Sequence, residues 1–112
     1  MSEKRLKMMT TYLSESQLEE KLCKKIKELG GMALKFISPG RAGVPDRIIL
    51  MPCRKIYFVE MKSPRGEINP IQEYVFEKFK NLGFEVKILN SDEKIKNFLQ
   101  EIYNDQLQRK IF

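Results

Sequence analysis

The stretch GVPDRIILMPCRKIYFVEMK, residues 43–62, decides how this chain folds. Arg47 to Met51 is nearly all branched or long aliphatic, the pattern of a central strand covered on both faces. Pro52-Cys53-Arg54 can turn the chain, and Lys55 to Lys62 returns as a strand, Ile56-Tyr57-Phe58-Val59 being β-prone. Asp46 and Glu60 lie symmetrically about residue 53. A hairpin in that register sets them directly opposite, with Cβ atoms about 4.5–5.5 Å apart. Two bare carboxylates that close repel each other, and a hard divalent cation between them removes the cost. Lys62 follows Glu60 by two residues and projects to the same face.

Outward from the hairpin, the pattern alternates between helix and strand. Ser14 with Gln17 forms a capping box that opens a helix, Leu18, Leu22, Ile26 and Leu29 give its stripe, and Gly30-Gly31 ends it. Met32 to Ile37 reads as a first strand, and Ser38 to Gly43 as a loop. After a second loop, Ser63 to Asn69, Pro70 starts a helix that runs to Leu82, its stripe Ile71, Val75, Phe79 and Leu82. Phe84 to Leu89 is a fourth strand. Ser91 caps a last helix, Lys94 to Tyr103, with Ile95, Phe98, Leu99 and Ile102 inward. The expected arrangement is α/β, a mixed four-stranded sheet flanked by helices in the order αβββαβα. Residues 1–13 are expected as a loosely ordered leader, 14–103 as one domain, and 104–112 as a polar, fraying tail.

Composition narrows the chemistry. The chain has 112 residues, a formal charge of +6 and no histidine, with a pI near 9.4. The charge favours an anionic partner, nucleic acid ahead of a membrane surface. Without imidazole, neither a catalytic triad nor a histidine general base is available, so chemistry rests on carboxylates, lysines or bound metal. Cys23 and Cys53 form no disulfide framework and no zinc spacing, which suits a reduced protein. No apolar run is long enough to span a bilayer and no signal peptide is visible, so the expected location is the cytoplasm.

The acid–acid–lysine set matches the needs of phosphodiester hydrolysis. A cation there neutralises the phosphate, lowers the pKa of bound water and orients its attack, while a lysine stabilises developing charge. The bare D…ExK triplet is common by chance and reads equally well as acids facing solvent. Its surroundings narrow the choice. Pro45 begins the strand where a missing N–H does little harm. Gly40 and Gly43 remove side chains just ahead of the acid, which would admit a phosphate backbone, and Arg41 between them could contact phosphate. Lys35, Arg65, Lys78 and Lys80 are further candidates for a DNA groove. The aromatics Tyr57, Phe58, Tyr74 and Phe79 read as core and interface rather than as base-stacking platforms.

Gly43-Val44-Pro45-Asp46, then Val59-Glu60-Met61-Lys62, then Gln72 at the next helix, resembles the VRR-NUC family, the virus-type replication-repair branch of the PD-(D/E)xK nucleases. The likeness runs from about Ser14 to Asp92 and is to the compact stand-alone members of phages and bacteria, not to the large eukaryotic Fanconi-associated nuclease. It implies a restriction-endonuclease-like core and a Mg²⁺- or Mn²⁺-dependent endonuclease. Asp46, Glu60 and the Met61 carbonyl would be metal ligands, Lys62 the catalytic lysine, and Gln72 the supporting glutamine. The first-helix glutamate would be Glu19, with Glu15 as the alternative; Glu20 points away. Glu19 could equally be a surface partner of Lys21 or Lys24. Lys35, Ser38, Arg41 and Arg65 would face DNA, branched DNA such as Holliday junctions being the substrate of a homodimer, with no organic cofactor and no membrane. Two other readings stay open: a catalytically silent DNA-binding module, and an interaction protein of a mobile element.

Overall fold

A computed structural model describes residues 12–111 of the chain. Seven elements follow one another: α1 (Glu15–Glu28), β1 (Met32–Lys35), β2 (Arg47–Met51), β3 (Lys55–Met61), α2 (Pro70–Asn81), β4 (Val86–Leu89) and α3 (Asp92–Ile111). The sheet order is β1-β2-β3-β4. The first two pairings are antiparallel and β3–β4 is parallel. The expected element order and mixed four-stranded sheet are therefore present.

Each boundary has a local cause. Ser14 and Gln17 close the expected capping box on α1. A second one, absent from the sequence reading, opens α2: Asn69 accepts from the Gln72 N–H while the Gln72 side chain accepts from the Asn69 N–H. At the other end of α2, Gly83 takes φ +92°. Its N–H and that of Phe84 close back onto the carbonyls of Lys80 and Phe79, the double bond of a glycine-ended helix. Phe84 thus belongs to the helix cap, and β4 starts at Val86 rather than at Phe84.

β1 also ends sooner than expected, at Lys35 instead of Ile37. The Phe36 N–H still donates to the Asp46 carbonyl at 2.8 Å, but the next residue on the facing chain is Pro45, which has no N–H to extend the ladder. Conversely, α3 does not stop at Tyr103. It continues to Ile111 because its last turns are tied to the hairpin: the Tyr57 hydroxyl donates to Asp105 at 2.5 Å and Gln106 Nε2 donates to the Pro52 carbonyl at 2.9 Å. The expected polar tail is a docked helical extension. Nearly all of the expected leader, residues 1–11, lies outside the described residues.

Alternation along the strands separates two faces. Ile49, Met51, Val59, Met61 and Leu89 pack against Leu18, Leu22 and Ile26 of α1 and Ile95, Phe98 and Ile102 of α3, forming the buried core. A Lys21–Asp92 ion pair joins the two helices. On the opposite face α2 buries Val75 and Phe76. There Phe58 meets Phe79 and Phe84 edge-on, with centroids 5.1 and 5.7 Å apart.

This second face is only partly covered. Ile48 and Leu50 remain half-buried, so β2 is not sealed on both sides as expected. Ile71, Tyr74 and Leu82 of α2 stay 57%, 59% and 76% exposed, and the inward stripe of α2 is Val75, Phe76 and Phe79 instead of the row through Ile71 and Leu82.

Candidate metal centre

The observed register pairs Arg47 with Val59 and Ile48 with Phe58. One step further sets Asp46 opposite Glu60, as the spacing about residue 53 requires. Two positive φ values, 64° at both Cys53 and Arg54, make the turn that fixes this register. Asp46 stands just ahead of β2, and both its carboxylate oxygens accept from the Met61 N–H, at 3.2 and 3.3 Å. The strand that carries Glu60 thereby holds Asp46 in place.

Glu60 is the buried acid, with 4% exposure. One of its oxygens, Oε2, accepts from Gln72 Nε2 at 2.9 Å and lies 3.3 Å from Lys62 Nζ. The other, Oε1, is buried with no hydrogen-bond partner. Orphaned carboxylate oxygens are costly in a protein interior and ask for an explanation, an ion among them. Gln72 is aimed by its own helix: the capping box uses its Oε1, which leaves the Nε2 free to face Glu60.

Asp46 feels the same crowding. Its carboxyl is pushed from 3.8 up to about 7, first by burial, then by the neighbouring charge of Glu60, with Glu19 adding a smaller push. The Met61 N–H and the Arg47 guanidinium pull the other way. Two crowded carboxylates, one with an oxygen whose lone pairs no donor uses, suit a divalent cation. Asp46, Glu60 and the adjoining Met61 backbone offer the hard oxygen donors such an ion takes.

Glu19 is close enough to perturb Asp46, and Glu15 is not among the charges that do. Its partner is neither Lys21 nor Lys24. Arg47 Nε donates to Glu19 Oε1 at 2.8 Å and Nη2 to the same oxygen at 2.5 Å, with Nη1 reaching the Ala33 carbonyl at 3.4 Å. Among the described residues no three acidic, histidine or cysteine side chains converge closely enough to hold an ion by themselves. The cluster is two acids, with a third carboxylate held nearby on an arginine. The sequence reading missed this arginine. Its one signal was a charge in a strand position that faces α1, among aliphatic neighbours.

The basic residues expected to meet DNA lie on several different elements. Lys35 is exposed at the end of β1. Arg41 is exposed and Ser38 half-buried, in a turn closed by the Arg41 N–H to the Ser38 carbonyl at 3.1 Å. Arg65 lies on the turn after Lys62 and lines a cavity of about 640 Å³ with Tyr12, Ser14 and Gln17 at the start of α1. Lys78 sits over the Tyr74 ring, and Lys80 lies on the other flank of α2 beside Glu73 and Glu77.

Gly43 has a packing reason to be bare that the sequence reading did not give. At φ +85°, an added Cβ would come within 2.9 Å of the Ile71 carbonyl and 3.0 Å of Val75. Its bareness lets the loop lie against α2, whereas a methyl at Gly40 would meet nothing within 4 Å.

The sequence profile of the VRR-NUC domain matches residues 3–93, beginning before Ser14, where the sequence resemblance was first placed. A protein named as a candidate nuclease, p44 of Acyrthosiphon pisum secondary endosymbiont phage 1, is 40% identical over 81 residues, 72% of this chain and 87% of its own. A solved VRR_NUC domain superposes with a TM-score of 0.72 at 26% identity, covering 77% of this chain and 94% of that one. The profile match, the phage relative and the shared fold agree, and this chain belongs to the VRR-NUC domain family.

Proposed function

We propose that this nuclease-family chain is a divalent-cation-dependent endonuclease that cuts branched DNA as a homodimer. The single observation behind the metal is Glu60 Oε1, buried and unpartnered beside an Asp46 whose ionisation is resisted. Asp46, Glu60 and the Met61 carbonyl would hold Mg²⁺ or Mn²⁺, with Glu19 supplying a further oxygen. The ion, when bound, offsets the phosphate charge and acidifies the water that attacks phosphorus.

The protein's own groups do the remaining work. Lys62, anchored at 3.3 Å on Glu60, places an ammonium where negative charge develops on the phosphate. Gln72 fixes the Glu60 carboxylate by donating to Oε2. Arg47 of β2 holds the carboxylate of Glu19, on α1, toward the sheet and limits the repulsion among the acids. Lys35, Ser38, Arg41 and Arg65 supply backbone contacts that position the duplex without reading its sequence.

The dimer rests on the open sheet face. Met32, Leu34 and Ile56 are 58%, 40% and 51% exposed there, with Phe84 beside them at 50%, a patch of the kind that marks an interface. A two-fold branched substrate also suits a two-fold protein. No helix among the described residues is long and apolar enough to cross a membrane. Cys23 is a free thiol, which fits the reducing cytoplasm of a bacterial host.

The deciding experiment offers the purified chain four-way junction, flap, single-strand and duplex DNA, each with Mg²⁺, with Mn²⁺ and with chelator. Cleavage confined to the cation lanes, and strongest on junction or flap, supports the reading. Binding with no cut under any metal would leave a silent DNA-binding module; no salt-dependent binding at all would leave an interaction protein.

A further inference from the structure

We propose that Tyr74, with Lys78 against its ring, is a stacking site for an unpaired DNA base on the helix that supports the metal centre. The inference rests on the nuclease reading and adds to it the feature of the substrate that this face would grip. Tyr74 is not core: its side chain is 59% exposed. Lys78 Nζ stands 4.9 Å from the ring centroid, so a cation already lies over an exposed aromatic surface. Exposed aromatic rings gain little from a phosphate or from a closed duplex, whose base faces are already stacked. They gain from an unstacked base, whatever its identity.

The charges around the ring favour the same occupant. Lys78, beside the phenol, holds its pKa below the ordinary value, and Arg41 contributes in the same direction. Both cations would reach the phosphates that flank a stacked base. Glu73, Glu77 and Lys80 line a cavity with Phe76, while Lys78 is the charge that stands against the Tyr74 ring.

Placement ties the ring to the cleavage centre. Gln72, two residues before Tyr74, reaches Glu60. The loop bearing Arg41 is seated on Ile71 and Val75 through Gly43 and leads within three residues to Asp46. One helix therefore presents the exposed ring on its outer side and steadies the buried acid on its inner side. Ile71, 57% exposed on the same flank as Tyr74, adds an apolar edge for a splayed base.

The test measures binding of the full chain in Ca²⁺ to two labelled DNAs. One is a fully paired duplex and the other the same duplex with a single unpaired 2-aminopurine. Tyr74→Ala is expected to weaken the second complex about tenfold and to abolish fluorescence quenching of the unpaired base. Its affinity for the paired duplex and its Tm should stay at the wild-type values. Tyr74→Phe should behave as wild type. Equal losses on both DNAs, or unchanged quenching in Tyr74→Ala, would overturn the stacking site while leaving the nuclease assignment intact. Failure of the wild-type chain to bind either DNA would overturn both.

Discussion

Gln72 spans from α2 to β3 with its two ends in different roles: Oε1 closes the cap of its own helix, and Nε2 donates to Glu60 at 2.9 Å. A cap and a site support are thus the same side chain, and substitutions can separate them. Gln72→Ala loses both. Losing the Oε1 acceptor, with Asn69 still in place as N-cap, costs about 0.5–1.5 kcal/mol, and losing the donor to Glu60 should lower divalent-cation affinity by about 10–100-fold. Gln72→Glu keeps a side chain able to close the cap but brings an acceptor to an acceptor. It should retain most of the Tm and still lose cation affinity. Calorimetric titration with Mn²⁺ beside thermal melts checks this; wild-type affinity in both variants would refute it.

Asp46 makes the metal-free fold sensitive to pH. Its carboxyl sits near 7 in the folded chain against 3.8 for an unperturbed group. The folded state therefore holds a proton that the unfolded chain gives up between about pH 4 and 7. Stability from this group is complete below that window and is lost as pH rises through it. Asp46→Asn should lack this component of the slope, and saturating divalent cation should flatten it in the wild type. Melting curves at intervals from pH 4 to 8, with chelator and with Mg²⁺, decide the matter. Identical slopes in wild type and variant would count against it.

Arg47 keeps the third acid quiet. Removing the guanidinium leaves Glu19 uncompensated, and Glu19 already raises the Asp46 pKa while Arg47 lowers it. Arg47→Ala should move the Asp46 titration further upward and shift the onset of cation binding to higher pH. Arg47→Lys should recover only part of the effect, because a point charge cannot place two N–H groups on one carboxylate oxygen as the fork does. Carbon-detected NMR of the Asp46 carboxyl reads the shift; movement to lower pH would contradict the argument.

Gly43→Ala and Gly40→Ala form a matched pair. At φ +85° the first forces an L side chain into left-handed backbone, costing about 1–2 kcal/mol, and its methyl would strike Ile71 besides. The second meets open space and should be close to neutral. Urea denaturation distinguishes them, and equal midpoints would show that the loop does not depend on its seat against α2.

Much of this was legible because hairpins enforce arithmetic. Once residue 53 was taken as the centre, the opposition of Asp46 and Glu60 followed, and the ladder Arg47↔Val59 through Met51↔Lys55 keeps that sum. The α1 stripe was clear for Leu18, Leu22 and Ile26, which are buried, but its expected fourth member, Leu29, is the C-cap and stays 36% exposed. Helix α2 was harder. Ile71, Val75, Phe76, Phe79 and Leu82 span a wide apolar arc, and periodicity gives the arc without saying which part meets the sheet. Phe58, reaching up to Phe79 and Phe84, centres the contact away from Ile71 and Leu82. The Arg47–Glu19 pair joins residues 28 positions apart, and no local pattern encodes such a partner. The end of α3 was misplaced for the same reason: Asp105 and Gln106 look solvated until the hairpin turn is beside them.

That docking of α3 onto Pro52 has a practical consequence. Pro52 is at the far end of β2 from Asp46, a strand of five residues, or about 17 Å of extended chain. The last turns of α3 therefore leave the domain at the pole remote from the acids. A surface anchor or fused domain joined through a linker behind that helix would point away from Asp46 and Glu60, so the protein could be immobilised by this end with the pole that carries these acids still open to long DNA.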